Sequence, residues 1–313
     1  MPTSHRKRVS WQLPPAHSRE PVRCADSPFL RSDAARFDHP AIRLSLDDVL
    51  APDILAAAVR RVSRNGGGPG GDGLGISTIE ANPRALPELA RAVRSGRYRP
   101  GPLRRVLINR PGKSPRPLAI PCVTDRVLQT AVLLALAPSL DRWMSRTSFA
   151  YRPGRSTGDA LRRLAAELAA GRNWIADADI RSFFETIPHA LLHEDLAAWI
   201  GRGPVLELIV GWIASGGSRG RGIAQGAPLS PLLANVYLQP LDVALAVAGL
   251  RAIRYADDFV VACRGRKEAE SALDLAARAL ALRGLELARD KSAVRGPGTH
   301  FVFLGAGITV PSG

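Results

Sequence analysis

A chain of 313 residues in which 43 Lys and Arg outweigh 28 Asp and Glu, with a formal net charge of +15, is long enough for one multi-lobed unit or two domains. That balance points to a polyanionic partner, most simply nucleic acid, bound with a salt-dependent affinity. Three cysteines (Cys24, Cys122, Cys263) without zinc-ligand spacing exclude a disulfide scaffold and suit a reducing cytoplasm, and neither an apolar run of membrane-spanning length nor a signal peptide behind Arg6, Lys7 and Arg8 is expected.

Residues 1–40 are rich in Pro, Arg and Ser and lack periodicity, which predicts a loose basic arm. Asn65 to Gly73, NGGGPGGDG, reads as a flexible linker or a glycine-rich loop; it lacks the Gly-Lys-Ser/Thr ending of a nucleotide-binding P-loop. From Gly96 to Pro121 the pattern predicts a basic hairpin. Leu107 and Ile108 fall in one strand, Pro111 and Gly112 in the turn, and Leu118 and Ile120 in the other strand. Arg104, Arg105, Arg110, Lys113 and Arg116 cluster on it, and taken alone such a run is a solvated basic face. Asp125 to Trp143 predicts a long helix with a wide, buried apolar face. Tyr151 to Leu161, YRPGRSTGDAL, predicts a turn and a Ser or Thr cap, leading into a helix over Gly158 to Ala170. Arg152 and Arg155 could there hold nucleic-acid phosphates.

Trp174 to Ile180, WIADADI, predicts a strand in which Asp177 and Asp179 share one face. Phe184, five residues past Asp179, is on composition alone a core phenylalanine. His189 and His193 stand four apart on a short helix; without a carboxylate constellation around them they read as capping and surface residues rather than metal ligands. In Gln225 to Leu238, QGAPLSPLLANVYL, Gln225 and Gly226 make a turn and Pro228 and Pro231 sit where a helix begins, a place where backbone N–H groups can face an anion. Ile253 to Cys263, IRYADDFVVAC, predicts a tight β-hairpin with Asp257 and Asp258 at its tip. A charge pair there is costly to bury unless a cation meets it. One aspartate from each strand would suit a hard cation such as Mg²⁺, whose other ligands are substrate phosphates. Because neighbours on a hairpin face apart, Asp179 and Asp257 are expected as direct ligands, Asp258 as a looser one, and Asp177 as a structural or solvated partner. An amphipathic helix from about Lys267 to Leu282 ends at Gly284, and Lys291 beyond it is by default a surface residue.

In this order, DADIRSFFETIPH, QGAPLSPLLANVYL, RYADDFVVACR and FLGAGI resemble the palm motifs of bacterial reverse transcriptases of the group II intron type and their CRISPR-associated relatives, over about Arg61 to Ile308. The resemblance implies an α+β right-hand polymerase, with an antiparallel palm sheet packed with helices. Fingers would take 41–172 and return over 190–222, and palm 173–189 and 223–313. It implies an RNA-directed DNA polymerase that transfers deoxynucleotides to a primer 3′-OH with two Mg²⁺ ions, or Mn²⁺ in their place, on an RNA template with a DNA or RNA primer. Asp179, Asp257 and Asp258 would hold the metals. Arg110 and Arg116 would grip the triphosphate from the fingers hairpin, Arg110 standing where the family usually has lysine. Arg104 and Arg105 of that hairpin, with Arg152 and Arg155, would contact nucleic acid. Gln225, Gly226 and Lys291 would surround the nucleotide, and Phe184 would wall off the sugar 2′ position, which distinguishes ribose from deoxyribose.

In the resembled proteins a helical thumb follows the palm, whereas the FLGAGI segment, read as a strand, is followed here by five residues. The expectation is that a partner protein or structured RNA completes the clamp. Intron mobility, acquisition of RNA-derived CRISPR spacers and phage defence stay open as biological roles. Two other readings also stay open: a non-catalytic nucleic-acid-binding protein on a polymerase scaffold, which has no need of three aspartates, and a polymerase of another template class, against which Phe184 and the Gln225–Gly226 turn speak.

Overall fold

The computed structural model describes residues 42–110 and 113–312, so the basic arm expected over 1–40 lies outside the described residues. Helix α1 (Leu46–Val49) starts on a capping box between Ser45 and Asp48. In α2 (Pro52–Arg64), Leu55, Ala58 and Val62 recur at helical spacing and are buried. Two further helices, α3 (Ser77–Glu80) and α4 (Ala85–Arg94), lead to the basic hairpin, β1 (Arg104–Arg110) and β2 (Lys113–Ile120), paired antiparallel from Arg104 opposite Ile120 to Arg110 opposite Lys113. The glycine segment before α3 is packed against the base of this hairpin. A Cβ on Gly70 would lie 2.5 Å from Cys122 Cα, and one on Gly71 would lie 2.4 Å from the Pro102 carbonyl oxygen. Close approach of two backbones is why glycine is needed there.

Helix α5 (Val123–Asp141) buries Val127, Leu128, Ala131, Val132 and Leu136, and packs against α2. Among the described residues it is the one helix long and apolar enough to cross a membrane, and here it is seated in the core. The cap expected before the next helix is Ser156, which forms a capping box with Asp159 at the start of α6 (Thr157–Ala169).

Strand β3 (Trp174–Asp179) is followed by α7 (Phe183–Thr186), α8 (His189–Ile200), α9 (Pro204–Gly216) and α10 (Ser230–Val247). Then come β4 (Arg251–Tyr255), β5 (Asp258–Cys263), α11 (Arg266–Leu282), β6 (Ala293–Arg295), β7 (His300–Phe303) and β8 (Ala306–Thr309). The central sheet is antiparallel in the order β4-β5-β3-β6. Alternation divides its residues between two cores. Ala176, Ala178, Phe259, Val261 and Cys263 face α10 and α11 in the main core, while Ile175, Ile253, Val260 and Ala262 pack with Leu164 of α6 and with Phe301 and Phe303 of β7. One main core cluster has members from Val49 to Leu285, drawn from the helices before β3 as well as from β3 and the elements after it.

Two details differ from the sequence reading or sharpen it. The FLGAGI motif is a hairpin rather than one strand: Leu304 (φ 52°) and Gly305 (φ 80°) form a two-residue turn between β7 and β8. His189 opens α8 as its first residue, not as a side-chain cap: its Nε2 lies 2.6 Å from the Gly222 carbonyl oxygen and so ties α8 to the loop after α9.

Candidate active site

The polar end of the central sheet follows from alternation and register. On β3, Ile175, Asp177 and Asp179 share a face. Asp179, the last residue of the strand, stands opposite Asp258, the first residue of β5, and Asp258 also pairs with Tyr255 across the hairpin. Asp258 therefore shares the face of Asp179. Ala256 (φ 61°) and Asp257 form the tip, and the Asp257 carbonyl accepts a hydrogen bond from Ile180 N at 3.3 Å, which ties the tip to the end of β3. Lying in the turn, Asp257 is released from strand alternation and can join the two carboxylates below it.

These charges act on one another. Burial, then the charge of Asp179, pushes the Asp258 carboxyl up to about 7, with Asp177 and Asp257 adding to it. Burial, then the charge of Asp179, also raises Asp257, while Arg116 and Lys291 pull it down. Lys291 Nζ lies 2.6 Å from Asp179 Oδ2, with its side chain 64% exposed. Its loop runs alongside β3: Ala288 N donates to the Asp179 carbonyl at 2.8 Å, and Asp179 N donates to Ser292 Oγ at 3.3 Å. Asp177 is different. Arg295 of β6 holds its Oδ2 at 3.1 Å, the structural partnership foreseen for it.

A hard divalent cation fits this donor set, because its charge would offset both the burial and the mutual repulsion that raise Asp257 and Asp258. Among the described residues no three His, Cys, Asp or Glu groups are gathered closely enough to hold a metal by themselves. A site completed by phosphate oxygens does not need such a gathering.

Strand β2 brings Arg116 to the same centre, where its charge acts on Asp257 and on Tyr151. The side chain of Arg110 lies outside the described residues. Arg104 and Arg105 are exposed on β1, and Arg105 lines an open groove with Leu118, Ala119, Phe184 and Gln225. Backbone bonds assemble this groove: Ala119 N donates to the Gln225 carbonyl and Ile223 N to the Phe184 carbonyl, both at 2.8 Å. Gly226 (φ 109°) makes the turn beside Ala119 that glycine alone adopts without strain. At the entry to α10, Leu229 N is already engaged by Gln129 Oε1 at 3.4 Å. Phe184 is 5% exposed, lies edge-on to Phe183 and still lines the groove, so it is at once core and wall.

Arg152 requires a correction. Its guanidinium donates to Asp141 Oδ1 at 2.6 Å and to the carbonyls of Asp141, Ser145 and Ser148, with the side chain 5% exposed, so it braces the turn and is not presented to a phosphate. Arg155 also donates to the Arg146 and Ser148 carbonyls but stays partly exposed. That bracing presents Tyr151, which the sequence reading passed over. It is 49% exposed, has φ 61°, and lies near enough to Asp257 for that charge to raise its hydroxyl pKa after burial has done so. A non-glycine residue in the left-handed region beside Asp257 has no signature in a single sequence.

Residues 108–308 match the family described as reverse transcriptase (RNA-dependent DNA polymerase). Protein YkfC of Escherichia coli (strain K12) is 28% identical over 85% of this chain and 83% of its own length. The group II intron-encoded protein LtrA of Lactococcus lactis subsp. cremoris is 30% identical over 62% of this chain, which spans 34% of that protein. Among solved structures, a chain of a partial Cas6-RT-Cas1–Cas2 complex aligns with 78% of this chain and 44% of its own, at a TM-score of 0.47 and 27% identity.

Proposed function

This chain belongs to the reverse transcriptase (RNA-dependent DNA polymerase) family, and we propose that it extends a primer 3′-OH on an RNA template with deoxynucleotides at a two-metal centre built on Asp179, Asp257 and Asp258. The observation that carries this reading is the register of Asp179 opposite Asp258, with Asp257 in the adjoining turn and Lys291 on Asp179. Magnesium ions, or manganese in their place, would lower the pKa of the primer 3′-OH and neutralise triphosphate charge when bound there. Asp179 and Asp257 would hold them, with Asp258 adding negative charge beside them. Such a transfer asks little covalent chemistry of a protein; positioning and charge stabilisation supply the rate.

The remaining roles follow from the groove. Arg116 and Lys291 neutralise phosphate charge, the turn at Gln225 and Gly226 meets the incoming nucleotide, and Phe184 limits the space beside its sugar. Arg104, Arg105 and Arg155 take nucleic-acid phosphates, which the net charge of +15 supports.

The test is primer extension by the purified chain on an RNA template with deoxynucleotides and Mg²⁺. An amide is a far poorer ligand for a hard cation, so Asp179→Asn and Asp257→Asn should each lower the rate by at least about a hundredfold, the scale for one preorganised charge-stabilising group. Asp258→Asn should be milder. Wild-type extension by either of the first two variants sinks the assignment.

A further inference from the structure

Behind the turn that carries Asp257 lies an ion pair closed off from solvent. Arg254 and Asp242 are 1% and 0% exposed. Arg254 sits on β4 two residues before Ala256, and Asp242 sits on α10. The guanidinium engages Asp242 through two nitrogens, Nε to Oδ1 at 2.7 Å and Nη2 to Oδ2 at 2.6 Å. Nη2 also donates to Ser148 Oγ at 2.9 Å. Nη1 donates to Asn235 Oδ1 at 3.1 Å and to the Ala256 carbonyl at 3.0 Å. A guanidinium has five N–H groups in a rigid fork, and five acceptor contacts meet them here. Its backbone is pinned as well: Arg254 N donates to the Thr147 carbonyl at 2.8 Å, and Phe149 N donates to the Arg254 carbonyl at 2.9 Å.

Ala256 needs such support. Its φ of 61° places a residue with a Cβ in the left-handed region, a conformation that persists where the surroundings over-determine it. A buried ion pair is poor evidence for stability, since an apolar pair of similar volume often does as well. What it supplies here is an angle. The fork ties α10, which opens at the Gln225–Gly226 loop, to the carbonyl one residue before Asp257.

We propose that the Arg254–Asp242 pair, with Asn235 orienting the fork, is a positioning device that sets the Asp257 turn against Asp179, so that Arg254 governs the rate of nucleotide transfer without touching substrate. The inference rests on the reading of Asp257 as a metal-holding residue. Lysine cannot reproduce it, because a single ammonium cannot span both Asp242 oxygens and the Ala256 carbonyl.

The experiment compares wild type with Arg254→Lys, Asn235→Ala and Asp257→Asn. Three quantities are measured: the single-turnover rate of incorporation, the nucleotide concentration at half that rate, and hydrogen exchange of the 253–260 segment. Measurements are made well below each melting temperature. Misplacement of a reacting group by about 1 Å costs on the order of a hundredfold. Arg254→Lys should therefore lower the rate about ten- to a hundredfold, shift the half-saturating nucleotide concentration less than about twofold, and speed exchange in 253–260. A purely structural role would lower the melting temperature and leave the rate per folded molecule unchanged. That outcome, or a change confined to nucleotide affinity, overturns the proposal. Should Arg254→Lys fail to fold, Asn235→Ala decides: it removes one of the two acceptors that hold Nη1 in place, leaving the Ala256 carbonyl and the ion pair, and a wild-type rate in that folded variant overturns the proposal equally. Full activity in Asp257→Asn would instead strike the reading of Asp257, and so separates the two failures.

Discussion

Replacing Phe184 by alanine should separate two roles that one side chain holds together. The ring is 5% exposed and meets Phe183 edge-on, centroids 5.3 Å apart at 73°. Truncation leaves a cavity beside α7 and costs about 3–5 kcal/mol of stability, of which the ring pair contributes about 0.5–1.5 kcal/mol. Against the roughly 5–15 kcal/mol that holds a typical protein folded, this is a large loss. Assays belong well below the melting temperature of the variant, with Phe184→Val alongside as the smaller cavity. The second effect is on sugar choice. Discrimination by pocket shape is worth about 1–3 kcal/mol, or about ten- to two-hundredfold. With the matched ribo- and deoxynucleotide competing for one incorporation, the ratio of their kcat/KM values should move toward ribonucleotide by that factor in Phe184→Ala. It should move less in Phe184→Val, with synthesis retained in both. An unchanged ratio in a variant that melts cooperatively refutes the sugar wall and leaves Phe184 in the core alone.

Two further outcomes probe packing and charge. Gly70→Ala forces a Cβ to within 2.5 Å of Cys122 Cα, whereas a Cβ on Gly68 meets nothing within 4 Å. Thermal melting should show Gly70→Ala destabilised by about 1–3 kcal/mol and Gly68→Ala nearly unchanged, and equal melts would mean that the segment is not docked. Burial pushes the Asp195 carboxyl up to about 7 against the pull of Arg283. Its folded pKa then lies above its unfolded value, so its contribution to stability is full below about pH 4 and is lost as pH rises through about 7. Asp195→Asn should remove that part of the slope, and stability curves that run parallel to wild type between pH 4 and 7 would contradict the shift.

What could be read from the sequence was local. The two-faced strand 174–180, the acidic hairpin and the Ser156 cap each have a period or a spacing that sterics enforces, and each forms where the pattern puts it. What escaped depends on a distant partner. Arg152 reads as a free cation until Asp141 and three carbonyls surround it. Asn65 to Gly73 reads as slack until the Pro102 and Cys122 backbones are laid against Gly70 and Gly71. The FLGAGI turn hid because Leu304, a residue that seldom takes positive φ, fills one of two left-handed positions. The order of Asp257 and Asp258 as ligands also turns on geometry beyond alternation, since one lies in the turn and the other at a strand end.

The strand order has a consequence for how the chain is made. Strand β3 is central, yet both its neighbours come from later in the sequence: Asp177 pairs with Val260 on one side and with Ala293 on the other. As the ribosome releases Trp174 to Asp179, this apolar strand has two bare edges and no partner to fill either. It must wait through four helices before β5 emerges and through a fifth before β6 does. Pairings of such long sequence separation form late and slowly, and unpaired edges in the interval invite association between nascent chains. Yield in the cell should therefore depend on translation speed and chaperone supply over the stretch between residues 180 and 295, more than on the stability of the finished fold.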